Sequence, residues 1–196
     1  KRAARLGAET GAGQRIEQPT SKLDSISRQV DRLAKLIDNL LDVSRITAGK
    51  LQLEFEDVDL AASVRDVAGR FEEDLRRSHS SLAVTATGPL IGKWDRLRID
   101  QIATNLLSNA IKFSPRGSEV EVVARSADGI VTVDVVDHGV GITVDEQLHV
   151  FEKFWHAVDV PVSHEHSGLG LFITKHLVEL MGGALRFVSE KGKGST

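Results

Sequence analysis

Apolar residues recur early in the chain at Leu23, Ile26, Val30, Leu33, Ile37 and Leu40, in alternating steps of three and four. This is the heptad seam of an amphipathic helix, and Leu36 and Val43 widen the stripe. Ser21 ahead of Asp24 resembles a capping box, with Asp in place of the usual Glu or Gln, and Gly49 supplies a stop. The spacing therefore predicts a helix over 21–50. A lone helix cannot bury such a stripe. Either it packs on the domain that follows, or, as the sustained seam favours, copies join in a dimeric helical bundle. Residues 1–20 are polar, with Gly7, Gly11, Gly13 and Pro19, and read as a flexible connection.

After the helix the period changes. Residues 51–58, LQLEFEDV, alternate apolar and acidic and predict a strand. Residues 59–77 predict a helix with Leu60, Val64, Val67, Ala68, Phe71 and Leu75 on one face. Two short strands, 82–87 and 90–94, flank Gly88-Pro89, and a helix follows over 95–113. Residues 119–126 and 130–136 form a hairpin around Asp128-Gly129. A polar stretch over about 138–167 leads to a helix over 168–181 and a last strand over 184–189. Helices alternating with mostly antiparallel strands imply an α+β fold, a two-layer sandwich preceded by a long coiled-coil-like helix.

Composition narrows the chemistry. The chain has 196 residues, is 41% hydrophobic and carries a formal charge of −3, which gives no bulk attraction to nucleic acid. Residues 1–50 carry +4 and the remainder −7, so any anion bound by the acidic domain needs local groups: amides, a lysine or a metal. With no cysteine, thiolate metal sites and disulfides are excluded. No apolar run is long enough to span a bilayer and no signal-peptide pattern occurs. Both ends read as cut, so the chain is taken as a fragment of a longer protein, cytoplasmic as it stands.

Four stretches carry candidate chemistry. Asn105, Asn109 and Lys112 share one face of the 95–113 helix. Two amide oxygens beside an ammonium suit a hydrated Mg²⁺ and the phosphates it bridges, although both amides could equally cap neighbouring backbone. Asp137-His138-Gly139-Val140-Gly141 leaves a strong strand directly. A carboxylate there can accept from an exocyclic amine, and the glycines let backbone approach a flat ring. Ser167-Gly168-Leu169-Gly170-Leu171 opens an apolar helix whose first amides suit phosphate, or simply makes a tight helix start. Phe151-Glu152-Lys153-Phe154-Trp155-His156 places aromatics and a lysine in a long loop, as in a lid or a hydrophobic anchor. His164-Glu165-His166 reads as solvated loop histidines rather than a metal site.

The order of these stretches resembles the ATP-binding domain of bacterial sensor histidine kinases, in the superfamily shared with gyrase and mismatch-repair ATPases. DQIATNLLSNAIKFS over 100–114 is similar to that family's N box, Asp137, Gly139 and Gly141 to its first glycine box, Phe151–Phe154 to its F box, and Gly168–Leu171 to its second glycine box. Residues 21–60, ending RITAGKLQLEFEDVDL, resemble the second dimerisation helix and its link to the kinase domain. The resemblance implies three parts: 1–20 as the connector from a first helix, 21–50 as the second dimerisation helix, and 51–196 as the catalytic domain. It implies ATP and Mg²⁺ as cofactors. Asn109 would be the Mg²⁺ ligand, with Asn105 beside it, and Lys112 would contact phosphate. Asp137 would hold the adenine amine, with Gly139 and Gly141 shaping that pocket. Lys153 would approach the terminal phosphate from a lid that includes Phe154, and Gly168, Leu169 and Gly170 would meet the phosphates. Lys153 and Asn109 are thus the catalytic candidates. The implied partners are a second copy, through the helical seam, and a response-regulator receiver domain.

The chain departs from the family pattern in places. None of its seven histidines is followed by the family's His-Glu/Asp-Leu-Arg-x-Pro stretch, and the family's usual distance between the two helices implies a phosphoacceptor before Lys1. Ser167 replaces a glycine, and His156 stands where a basic residue is usual. The family continues past Gly-Ser-Thr into one more strand, whose loss is expected to expose a sheet edge. Two rival classes remain: an ATP-binding switch that phosphorylates serine, opposed by the heptad helix and its link, and a degenerate docking module, opposed by Asn109, Asp137 and Gly141.

Overall fold

The computed structural model describes residues 17–157 and 167–196. Helix α1 runs over Glu17–Thr47. It begins four residues before the expected Ser21, so the Ser21/Asp24 pair lies inside the helix and is not its cap. Pro19 falls in the first turn, where its missing N–H interrupts no helical bond. The stop at Gly49 holds: its φ is +64°, and the Lys50 amide donates to the Arg45 carbonyl at 2.8 Å.

The next elements are β1 (Glu56–Asp59), α2 (Leu60–Gly69), α3 (Glu72–Ser78), β2 (Ser81–Ala86), β3 (Ile91–Trp94) and α4 (Arg96–Phe113). They are followed by β4 (Glu119–Ala127), β5 (Ile130–Val136), α5 (Val144–Gln147), α6 (Gly170–Leu180), β6 (Ser189–Glu190) and β7 (Gly194–Ser195). Three sequence expectations change. Residues 51–55 are extended without a ladder: Leu51 is half-buried on α6 and the Glu54 amide donates to Asp95 Oδ2. The alternation there reflects a chain laid on a surface, not a strand in a sheet. The single helix of 59–77 is two helices, because the Arg70 and Phe71 amides turn back to the carbonyls of Val67 and Ala68. The 184–189 strand shrinks to β6.

Sheet order is β2-β4-β5, with β2 and β4 parallel and β4 and β5 antiparallel. β1 and β3 form a separate antiparallel pair, as do β6 and β7. An Asp137–Ser195 bridge continues the sheet from the end of β5 to β7, and Val188 and Thr196 exchange both hydrogen bonds on its far side. β5 itself stays an outer strand, paired only with β4, and residues 194–196 meet the chain just past its end, at Asp137.

α2 and α4 cover one face of the sheet. Val64 and Val67 of α2, Ala103 and Leu107 of α4, and Val120 and Val122 of β4 form the main core. Asp59 starts α2, its carboxylate accepting from the amides of Leu90 and, less strongly, Ala61, which holds its pKa below the usual carboxylate range. A second core joins Leu169, just before α6, and Ile173 and Leu177 of α6 to Val43 and Ile46 of α1. Helix α1 thus has two apolar faces. Val43 and Ile46 pack on the domain, while the seam from Leu23 to Leu40 stays about half exposed, 49% at its least accessible residue.

Candidate nucleotide site

Between α1, α4, α6 and the end of β5 lies a cavity of about 470 Å³. Helix α4 buries Ile99, Ala103, Leu107 and Ala110 against the core, which turns Asn105 and Asn109 onto its flank, into the cavity. The Asn105 amide donates to Oγ1 of the buried Thr174 at 2.8 Å. A Cβ on Gly170 would stand 2.4 Å from Asn105 Oδ1, so glycine at the head of α6 leaves room for the Asn105 amide where it bonds Thr174. Asn109, one turn on, is half-buried and faces the cavity. No group of three or more His, Asp or Glu side chains gathers among the described residues to hold a metal.

Asp137 sits at the end of β5. Its Oδ1 accepts from the Gly139 amide at 2.8 Å, and its backbone pairs with Ser195. Desolvation raises its pKa above the ordinary carboxylate value, against the lowering effect of these hydrogen bonds. A carboxylate in such a place is a candidate for recognising a ligand amine.

The glycines serve a purpose the sequence did not reveal. A Cβ on Gly141, whose φ is +59°, would fall 1.9 Å from the Glu190 carbonyl oxygen, and one on Gly139 would fall 2.5 Å from that of Phe113. One on Gly168 would meet the backbone of Phe154 and Trp155. These positions bring protein backbone to protein backbone, holding strand end, hairpin, aromatic loop and α6 around one space.

Of the residues anticipated, Asn105, Asn109, Asp137, Gly141, Gly168 and Gly170 line the cavity. Lys112, Gly139, Lys153, Phe154 and Leu169 are not among its lining residues. The Lys112 ammonium lies over the Phe113 ring, 4.8 Å from its centroid. Lys153 donates to Thr47 Oγ1 at 3.1 Å and lies over Phe172, turned toward the end of α1. Phe154 is exposed with φ +63°, and Leu169 is fully buried core. Ser167 lines the cavity, and its Oγ accepts from the Leu169 amide. His164, Glu165 and His166 lie outside the described residues.

Sequence reasoning missed two sets of lining residues. Phe113, Val140, Ile142 and Phe187 give apolar walls suited to a flat ring. Arg32, Lys35, Leu36 and Asn39 come from α1. Their i, i+3, i+4, i+7 spacing was visible as a second helix face, but only the docking of α1 on α6 aims it at the site.

Residues 94–196 match the family model described as histidine kinase-, DNA gyrase B-, and HSP90-like ATPase. The chain is 33% identical over 181 residues to the sensor protein DivL of Caulobacter vibrioides, covering 92% of this chain and 23% of DivL. It is 35% identical over 168 residues to the sensor-like histidine kinase SenX3 of Mycolicibacterium smegmatis, 84% of this chain and 43% of SenX3. It thus spans less than half the length of these relatives. Among solved structures it resembles full-length ShkA in complex with AMPPNP, with a TM-score of 0.75 and 29% identity, covering 96% of this chain and 38% of that one. It also resembles the mycobacterial sensor histidine kinase MprB, with a TM-score of 0.63 and 33% identity, over 72% of this chain and 93% of that one.

Proposed function

The chain belongs to the family of histidine kinase-, DNA gyrase B- and HSP90-like ATPases, and on that premise we propose that it is the ATP-binding catalytic portion of a sensor histidine kinase, working in the cytoplasm. The observation that carries this reading is one cavity that gathers Asn109, Asp137, Gly141 and Gly168 from three distant segments. Asp137 accepts from the adenine amine while Val140, Ile142 and Phe187 enclose the ring. The amides of Gly168 and Gly170 at the head of α6 and the oxygen of Asn109 face the phosphate arm.

The residues fit Mg²⁺, which takes few protein ligands and keeps water and phosphate oxygens. Asn109 would hold it, with Asn105 beside it, its amide nitrogen engaged by Thr174. Such an ion, when bound, offsets charge on the phosphates. For Lys153 to reach the terminal phosphate, its hydrogen bond to Thr47 has to break. Lys112 would act from the rim.

In the transfer step a histidine nitrogen attacks the γ-phosphorus in line, the bond to the bridging oxygen breaks, and ADP leaves. None of this chain's histidines stands in the family's phosphoacceptor stretch, so the acceptor belongs to another helix of the parent protein. The exposed seam from Leu23 to Leu40 joins two copies, and an aspartate of a receiver domain accepts the phosphoryl group onward. Among the described residues no helix is long and apolar enough to cross a membrane.

The reading is tested by comparing ATP with GTP binding to the chain and to Asp137→Asn. ATP should bind in preference to GTP, and the substitution should weaken ATP. Equal binding of both nucleotides to the unaltered chain contradicts the role of Asp137.

A further inference from the structure

The cavity wall formed by α1 is basic. Arg32 and Lys35 lie one turn apart and both line it, with Asn39 a turn further on. The Nη2 of Arg32 is buried and has no hydrogen-bond partner among the described residues. A buried guanidinium nitrogen without an acceptor is costly, and the loss is recovered when an anion occupies its fork. The side chain lines the same cavity as Asn109 and Gly170. α1 packs on α6 through Val43 and Ile46, and Gly168 and Gly170 at the head of α6 line the same cavity as Arg32. Arg186, the other arginine lining the cavity, stands instead beside Phe187 on the segment that leads to β6. The lysine expected to serve the terminal phosphate, Lys153, is held by Thr47.

We propose that Arg32, assisted by Lys35, is a positioning residue for the phosphate arm of the bound nucleotide, so that the triphosphate is clamped between the dimerisation helix and the ATP-binding domain. This rests on the nucleotide-site reading above. It makes α1 part of the nucleotide site as well as of the seam. Loss of the terminal phosphates removes the ligand of Arg32 and loosens α1 from the domain, while adenine stays bound at Asp137.

The test is calorimetric titration of the chain, Arg32→Gln and Arg32→Lys with AMPPNP and with adenosine, together with amide exchange of α1. Arg32→Gln should weaken AMPPNP about tenfold, the scale of one charge-assisted hydrogen bond, and leave adenosine unchanged. Arg32→Lys should recover part of the loss. AMPPNP, and not adenosine, should slow exchange around residues 30–40. Unchanged AMPPNP affinity in Arg32→Gln, or equal losses for both ligands, overturns the role of Arg32 while leaving the nucleotide site standing. Failure of the unaltered chain to bind either ligand overturns both. Arg32→Lys, which keeps the charge and the aliphatic stem, decides the matter if the glutamine variant folds poorly: weaker AMPPNP with unchanged adenosine supports the role, and full affinity for both leaves no need for the guanidinium fork and overturns it.

Discussion

Alanine at Gly141 places a methyl carbon 1.9 Å from the Glu190 carbonyl oxygen and 2.6 Å from its carbon. Both neighbours are backbone, so no side chain can swing aside. The φ of +59° alone costs an L-residue about 1–2 kcal/mol. Relief of the clash requires the loop at 139–142 to part from the 189–195 hairpin. That breaks the Gly192 amide bond to the Val140 carbonyl, at 2.7 Å, and the Ile142 amide bond to Ser189 Oγ, at 2.9 Å. At about 1 kcal/mol each, the total loss is about 3–4 kcal/mol. Gly129 is the matched control: its φ is +75°, but a Cβ there meets nothing within 4 Å, so Gly129→Ala costs the backbone term alone, about 1–2 kcal/mol. Urea denaturation with linear extrapolation measures both, and AMPPNP titration should show a binding loss for Gly141→Ala only. If the two variants lose equal stability, the glycine is not needed for close backbone approach and the reasoning fails.

Three further outcomes are expected. Asp42 of α1 is buried and accepts two hydrogen bonds from Arg98 and one from Gln101, so Asp42→Ala should cost about 3–5 kcal/mol, and a cycle with Arg98→Met should show strong coupling; additive losses in urea would exclude the pair as the link between α1 and α4. The raised pKa of Asp137 means its contribution to stability is fully present below the unfolded carboxylate pKa, about 4, and is lost as pH rises through the folded value. Asp137→Asn should therefore melt higher than the parent at neutral pH, with the gain vanishing near pH 4 and adenine binding weakened throughout; a lower melting temperature at pH 7 contradicts the desolvation account. Asn109→Ala should remove the Mg²⁺ dependence of AMPPNP binding, and undiminished dependence in titration sinks its ligand role.

The parts of the site readable in sequence were those set by local spacing. Asn105 and Asn109 are one turn apart whatever surrounds them, and Asp137 had to emerge at a strand end because the alternation of 130–136 stops there. What long-range packing decides was hidden. Lys153 read as a lid cation, and nothing in local spacing pointed to its hydrogen bond with Thr47, 106 residues earlier. Leu169, inside a glycine motif, went to the core of α6. The alternation of 51–55 mimicked a strand because an extended segment on a surface also turns alternate residues inward, here Leu51 and Leu53 but not Phe55. The heptad of α1 announced one face plainly, and its basic face acquired meaning only once the helix was seen against α6.

The central claim is most directly tested by isothermal titration of the chain with AMPPNP, with and without Mg²⁺. Saturable binding that strengthens with Mg²⁺ is the predicted result. No binding under either condition would contradict the nucleotide site, and with it the kinase reading.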